Sequence, residues 1–143
     1  MLFGNDRDGM RQYYCDCWKK AQGGMALEPL ETQIVAVIKE HPEYHSVLED
    51  VDTAKSREYL PEMNETNPFL HMSMHLGIRE QMGMNQPAGI NELIQQITLK
   101  VGDHEAEHQV MECLAEVMWQ AQRSATPPDH VEYLKCIRKK LRS

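Results

Sequence analysis

The sequence predicts an all-α protein: a single helical domain over residues 1–143, folded as a bundle of five to seven helices. Three observations carry that expectation. Apolar residues recur at helical spacing in one segment after another. No segment alternates apolar and polar residues for the length of a useful strand. Prolines, glycines and capping residues cut the chain into pieces of helix length. A hydrophobic fraction of 41% and a charged fraction of 26% are ordinary for a globular chain, and 143 residues can bury a core without staples.

The first helix is expected from about Asp6 to Gln22 and is ended by Gly23 and Gly24. Tyr13, Tyr14 and Trp18 on it suit core anchors or an oligomer contact. A second opens near Pro29 and carries Ile34, Val35, Val37 and Ile38. Pro42 interrupts it, because proline disfavours a helical conformation for His41 before it. A short helix "PEYHSVLED" follows, and the segment from about Val51 to Thr66, with Pro61, is the least patterned and reads as a long loop.

The next helix, "NPFLHMSMHLGIREQ", has Asn67 as N-cap and Pro68 at the first helical position. Leu70, Met74, Gly77, Ile78 and Gln81 mark the stripe expected to face a core, with His71 and His75 at its edge. Pro87 is expected to open "PAGINELIQQITLKV", closed by Gly102. Asp103 then caps a long helix to about Ser124, whose apolar face takes in Val110, Met111, Leu114, Val117, Met118 and Ala121. Trp119 falls near the His108 side, where it would pack or wall a pocket, and "TPPDHVEYLKCIRKKL" gives a last helix with a cap, a proline start and a basic end. Ten methionines suit irregular helix–helix packing.

Composition also excludes. A net charge of −7 argues against nucleic acid as a partner. No apolar run approaches a membrane span, so no membrane partner is expected. "MLFGNDRDGM" lacks the basic and apolar regions of a secretory signal, which makes cytoplasmic the default location. Locally, Lys135, Arg138, Lys139, Lys140 and Arg142 complement a helix C-terminus and are a candidate contact for an acidic partner. Cys15, Cys17, Cys113 and Cys136 lack the spacing of a zinc site and read as small buried or half-buried thiols. No serine or cysteine sits in a recognisable nucleophile motif, and there is no Gly-rich phosphate loop and no internal repeat.

The least ordinary feature is histidine. Six of the seven occur as HxxxH pairs: His41 with His45, His71 with His75, His104 with His108. Random placement at this abundance gives about 0.3 such pairs, so three call for a reason. Residues four apart lie one above the other on a helix face, where two ring nitrogens can converge on one cation. Glu112 continues the row of His108, and facing helices of a bundle build metal sites from such rows. The candidate ligands are therefore His41, His45, His71, His75, His108 and Glu112, for one or two transition metals. Imidazole with carboxylate suits zinc, iron or manganese. If such a site were catalytic, it would activate water or oxygen, with Glu80 or Glu112 moving the proton.

Other features temper this. Pro42 holds His41 out of a helix, so His41 and His45 need not point to one side, and His104 falls at a helix start. Arg79, four after His75, would repel a cation unless it turned outward or met a carboxylate such as Glu80 or Glu112. "HEAEH" matches the H-E-x-x-H of zinc peptidases, but no strand for substrate and no clear third ligand accompany it.

At "HPEYH", "NPFLHMSMHLGIREQ", "PAGI" and "MECLAEVMWQAQR…YL" the chain resembles a family of small bacterial proteins known only as a domain of unknown function. The resemblance covers about Ile38 to Leu134; its pattern takes in His41, His45, His71, His75, Glu80, His108 and Glu112, and not clearly His104. It implies a small helical protein and no particular activity. In ligand style the histidines also look like those of haemerythrin-type and DinB-type bundles, an analogy of architecture alone. Two readings follow: a His/carboxylate metal-binding helical protein, or a non-catalytic interaction or homo-oligomerisation module whose histidines satisfy hydrogen bonds in the core.

Overall fold

Eight α-helices and one 3-10 turn account for about four-fifths of residues 6–59 and 66–143, which this computed structural model describes. In order they are α1 (Arg7–Gln22), α2 (Pro29–Lys39), the 3-10 turn (Pro42–Tyr44), α3 (His45–Leu48), α4 (Val51–Ser56), α5 (Pro68–Met84), α6 (Ile90–Val101), α7 (Asp103–Ser124) and α8 (His130–Arg142). No strand occurs among the described residues. The count exceeds the expected five to seven because of α4, which lies in the segment read as a loop. Its N-cap is Asp50, whose carboxylate accepts from the Thr53 N–H at 3.2 Å and the Thr53 hydroxyl at 2.8 Å. Residues 60–65 of the expected loop, Pro61 included, lie outside the described residues.

The chain divides into two compact units, Met1–Leu76 and Gly77–Ser143. In the first, α1 packs against α2, α3 and α4. Its core joins Tyr14, Cys15, Cys17 and Trp18 to Ile34, Val35, Val37 and Ile38, with Leu48, Ala54, Phe69 and Met72. Cys15 and Cys17 are both buried although two apart, because α1 is covered on more than one side. Burial pushes both thiols up to about 11. Glu31 is nearly enclosed and forms a capping box at the start of α2, accepting from the Glu28 N–H at 2.8 Å and from the Lys20 ammonium at 2.8 Å. Arg11 is 2% exposed and donates from one nitrogen to the carbonyls of Ala54 and Arg57, both at 2.8 Å.

The second unit packs α6, α7 and α8 against one another. Ile90, Ile94 and Ile97 meet Val110, Met111, Val117, Tyr133 and Ile137. A disulfide joins Cys113 on α7 to Cys136 on α8, which corrects the expectation of free thiols for that pair. Their separation of 23 residues gave no sign that two helices would set them opposite one another. Three helix starts also differ from expectation, and α8 is one of them: it begins at His130, because the Asp129 side chain accepts the Val131 and Glu132 N–H groups, so both prolines precede it. Pro87 lies in a turn and α6 begins at Ile90, because Gly89 adopts a left-handed φ of 94° and the Asn85 side chain accepts the Gly89 and Asn91 N–H groups. Asp103 is the first helical residue of α7, and Gly102, at φ 91°, is the cap.

No described helix is long and apolar enough to cross a membrane.

Candidate metal centre

Asn67 sets the register of α5: its side-chain oxygen accepts from the N–H groups of Phe69 at 3.0 Å and Leu70 at 3.2 Å. The first turn is apolar on nearly every side, so periodicity alone leaves its buried face ambiguous. Packing selects Phe69, Met72, His75 and Ile78, each 0% exposed, while Leu70 is 55% exposed. The expected stripe holds at Ile78, but Phe69 and Met72 take the place of Leu70 and Met74, and His75 lies on the buried face rather than at its edge.

His71 and His75 stand one turn apart, their Nε2 atoms 3.3 Å from each other. His41 joins them from the end of α2. Its backbone leaves the helix at φ −129°, ψ 67°, outside the helical region that Pro42 disfavours for the residue before it. The His41 ring centroid lies 5.1 Å from that of His71 and 4.8 Å from that of His75. Ligand nitrogens of the three rings lie within 4.8 Å of one another. His41 Nδ1 donates to the Val37 carbonyl at 2.8 Å, which fixes the tautomer and puts the lone pair on Nε2. That is how protein-bound metals usually hold their imidazoles, with the second ring nitrogen anchored to a carbonyl. Tyr44 stacks on the His41 ring at 5.4 Å and meets His71 edge-on at 6.1 Å.

The spacing suits a cation. Two nitrogens each about 2.0–2.1 Å from a metal at the tetrahedral angle stand about 3.3–3.4 Å apart. The His71–His75 separation of 3.3 Å matches that edge.

One comparison with known proteins gives a match: over residues 6–139 the chain fits the family model of a domain of unknown function, DUF1841. It belongs to that family. No curated protein and no solved structure is detectably similar to it.

The DUF1841 match spans all three histidine pairs, yet the structure treats them differently. His45 turns away from His41, as Pro42 foreshadowed. Its Nε2 donates to the Ile38 carbonyl at 2.9 Å, and its ring lies 4.4 Å from that of Trp18. His108 belongs to the second unit, on α7, with its ring 4.1 Å from that of the exposed His104. Glu112 is exposed and pairs with Lys140 of α8, and Glu80 is exposed. Arg79 meets neither Glu80 nor Glu112 in a pair; its partner is Glu107, a buried residue that the sequence did not single out. Trp119 is 52% exposed with Arg123 over its ring at 4.5 Å, so it does not pack in the core. Tyr44 is the other residue missed; its place in "HPEYH" beside both histidines was the available signal.

Proposed function

We propose that the chain binds a transition metal through His41, His71 and His75. The observation that carries this reading is the meeting of His41 with the His71–His75 pair, ligand nitrogens within 4.8 Å and two of the rings buried. His45 and Glu112 leave the ligand set, since each is engaged elsewhere. An all-imidazole set suits zinc, iron, copper or nickel better than manganese or magnesium, which favour oxygen ligands. A metal bound only by the folded chain would add its binding free energy to folding.

One observation favours the alternative, an interaction module with structural histidines: His41 and His45 both hydrogen-bond backbone carbonyls. Elemental analysis separates the two readings. Untagged protein, purified without added metal, should carry near-stoichiometric zinc, iron, copper or nickel, and its melting temperature should fall with chelator. A metal-free protein whose melting temperature ignores all four added metals would remove the metal reading.

A further inference from the structure

We propose that the Cys113–Cys136 bond is a reversible thiol–disulfide centre, served by an anionic low-molecular-weight thiol that docks in the basic groove between α7 and α8 and exchanges at the Cys136 sulfur.

The two sulfurs are unequal. Cys113 is 0% exposed in the core of the second unit, whereas Cys136 is half-buried and lines the groove. A thiolate must approach the sulfur it attacks, so only Cys136 offers itself. The groove has a volume of about 560 Å³, within the range that takes a small ligand. Lys135, Arg138, Lys139 and Arg142 line it together with the carboxylates of Glu116 and Glu132, four cations against two anions on a chain of net charge −7. Glu132 spends part of its charge on Lys135 at 3.4 Å. Such a lining concentrates an anionic thiol from solution. In the reduced protein the same cations favour a Cys136 thiolate, the reactive form. Cys15 and Cys17 provide the contrast, both enclosed in an apolar core with thiols held in the protonated state by burial.

The exchange balances without another reagent. A thiolate RS⁻ attacks Cys136 Sγ, the S–S bond breaks, and its electron pair leaves on Cys113 Sγ, which takes a proton. A second RS⁻ attacks the mixed disulfide at the sulfur of the bound R group, releasing RSSR and the Cys136 thiolate. Two thiols are oxidised as one protein disulfide is reduced. In reverse, the Cys136 thiolate attacks RSSR, and Cys113 resolves the adduct.

The test uses the full chain, reduced and freed of reductant, with glutathione disulfide as the anionic probe and hydroxyethyl disulfide as the neutral one. In Cys113→Ser the adduct cannot resolve, so a mixed disulfide should accumulate on Cys136 alone by peptide mapping. Charge reversal in Arg138→Glu/Lys139→Glu should slow the glutathione reaction about tenfold and leave the neutral reaction within about twofold. If Cys113→Ser does not fold, the reoxidation rate of the reduced natural chain is read by the same charge criterion. Adducts on Cys15 or Cys17, no adduct on folded protein, or equal responses to the two probes would each overturn the proposal.

Discussion

Arg79 grips Glu107 with two nitrogens, Nε to Oε2 at 2.9 Å and a terminal nitrogen to Oε1 at 3.1 Å. The carboxylate side chain is 12% exposed and the guanidinium 31%. A bidentate, charge-assisted pair that is largely enclosed contributes more than an exposed ion pair. Arg79→Ala should therefore lower unfolding stability by about 2 kcal/mol, below the full buried-pair figure because Arg79 is partly solvated. Arg79→Met with Glu107→Leu should recover most of that loss in urea titrations. Equal losses in the single and double variants would show that the pairing is immaterial.

The proposed metal site separates the histidines by role. On that proposal, His71→Ala should abolish metal binding and the chelator-sensitive part of the melt. His45→Ala should keep the metal yet cost about 1–2 kcal/mol through its lost bond to Ile38 and its contact with Trp18. Metal content by elemental analysis, beside melting curves for both variants, distinguishes them. Equal metal loss in both would place His45 among the ligands.

Acid should act through Glu31. The Lys20 ammonium, and then the Glu28 N–H, hold its carboxyl below the usual range. A depressed folded-state value means the stabilisation is complete above the unfolded carboxyl value of about 4.3 and disappears as pH falls through the lower folded value. The stability gap between the natural chain and Glu31→Gln should shrink below about pH 4.3. A gap constant from neutral to acid pH in urea titrations would contradict this.

Two glycines predict opposite outcomes. Gly102 sits at φ 91°, ψ 167°, a region essentially closed to other residues, so Gly102→Ala should cost about 1–3 kcal/mol although an added Cβ meets nothing within 4 Å. Gly77 lies inside α5, and its Cβ would also meet nothing within 4 Å. Gly77→Ala should stabilise by about 0.5–1 kcal/mol, since glycine is the costlier residue in a helix interior. Thermal melts of the two variants should shift in opposite directions.

What the sequence disclosed followed the range of the interactions. Helices announced by a local device were legible: Asn67 before α5 and Gly23 after α1; α8 starts after Asp129 rather than at the prolines before it. α4 escaped because its six residues carry one cap and little periodicity, and α1 packs against it. The His71–His75 pair was legible because four-residue spacing is a property of one helix. That His41 joins them while His45 does not depended on the turn at Pro42, which suggested divergence without giving a direction. The pairings of Arg79 with Glu107 and of Cys113 with Cys136 are tertiary events, invisible to spacing.

Arg7 and Arg11 of α1 together occupy the carbonyls of Ala54, Lys55 and Arg57 at the end of α4. Six residues are too few to hold a helix in water, where nucleation alone outweighs the bonds gained. α4 therefore persists only while α1 lies against it, and the two form one cooperative opening unit. In native-state hydrogen exchange, every event that exposes the α1 amides should expose those of α4 as well. The chain thus stores the stability of α4 in another helix, more than forty residues upstream by the Arg11–Ala54 bond.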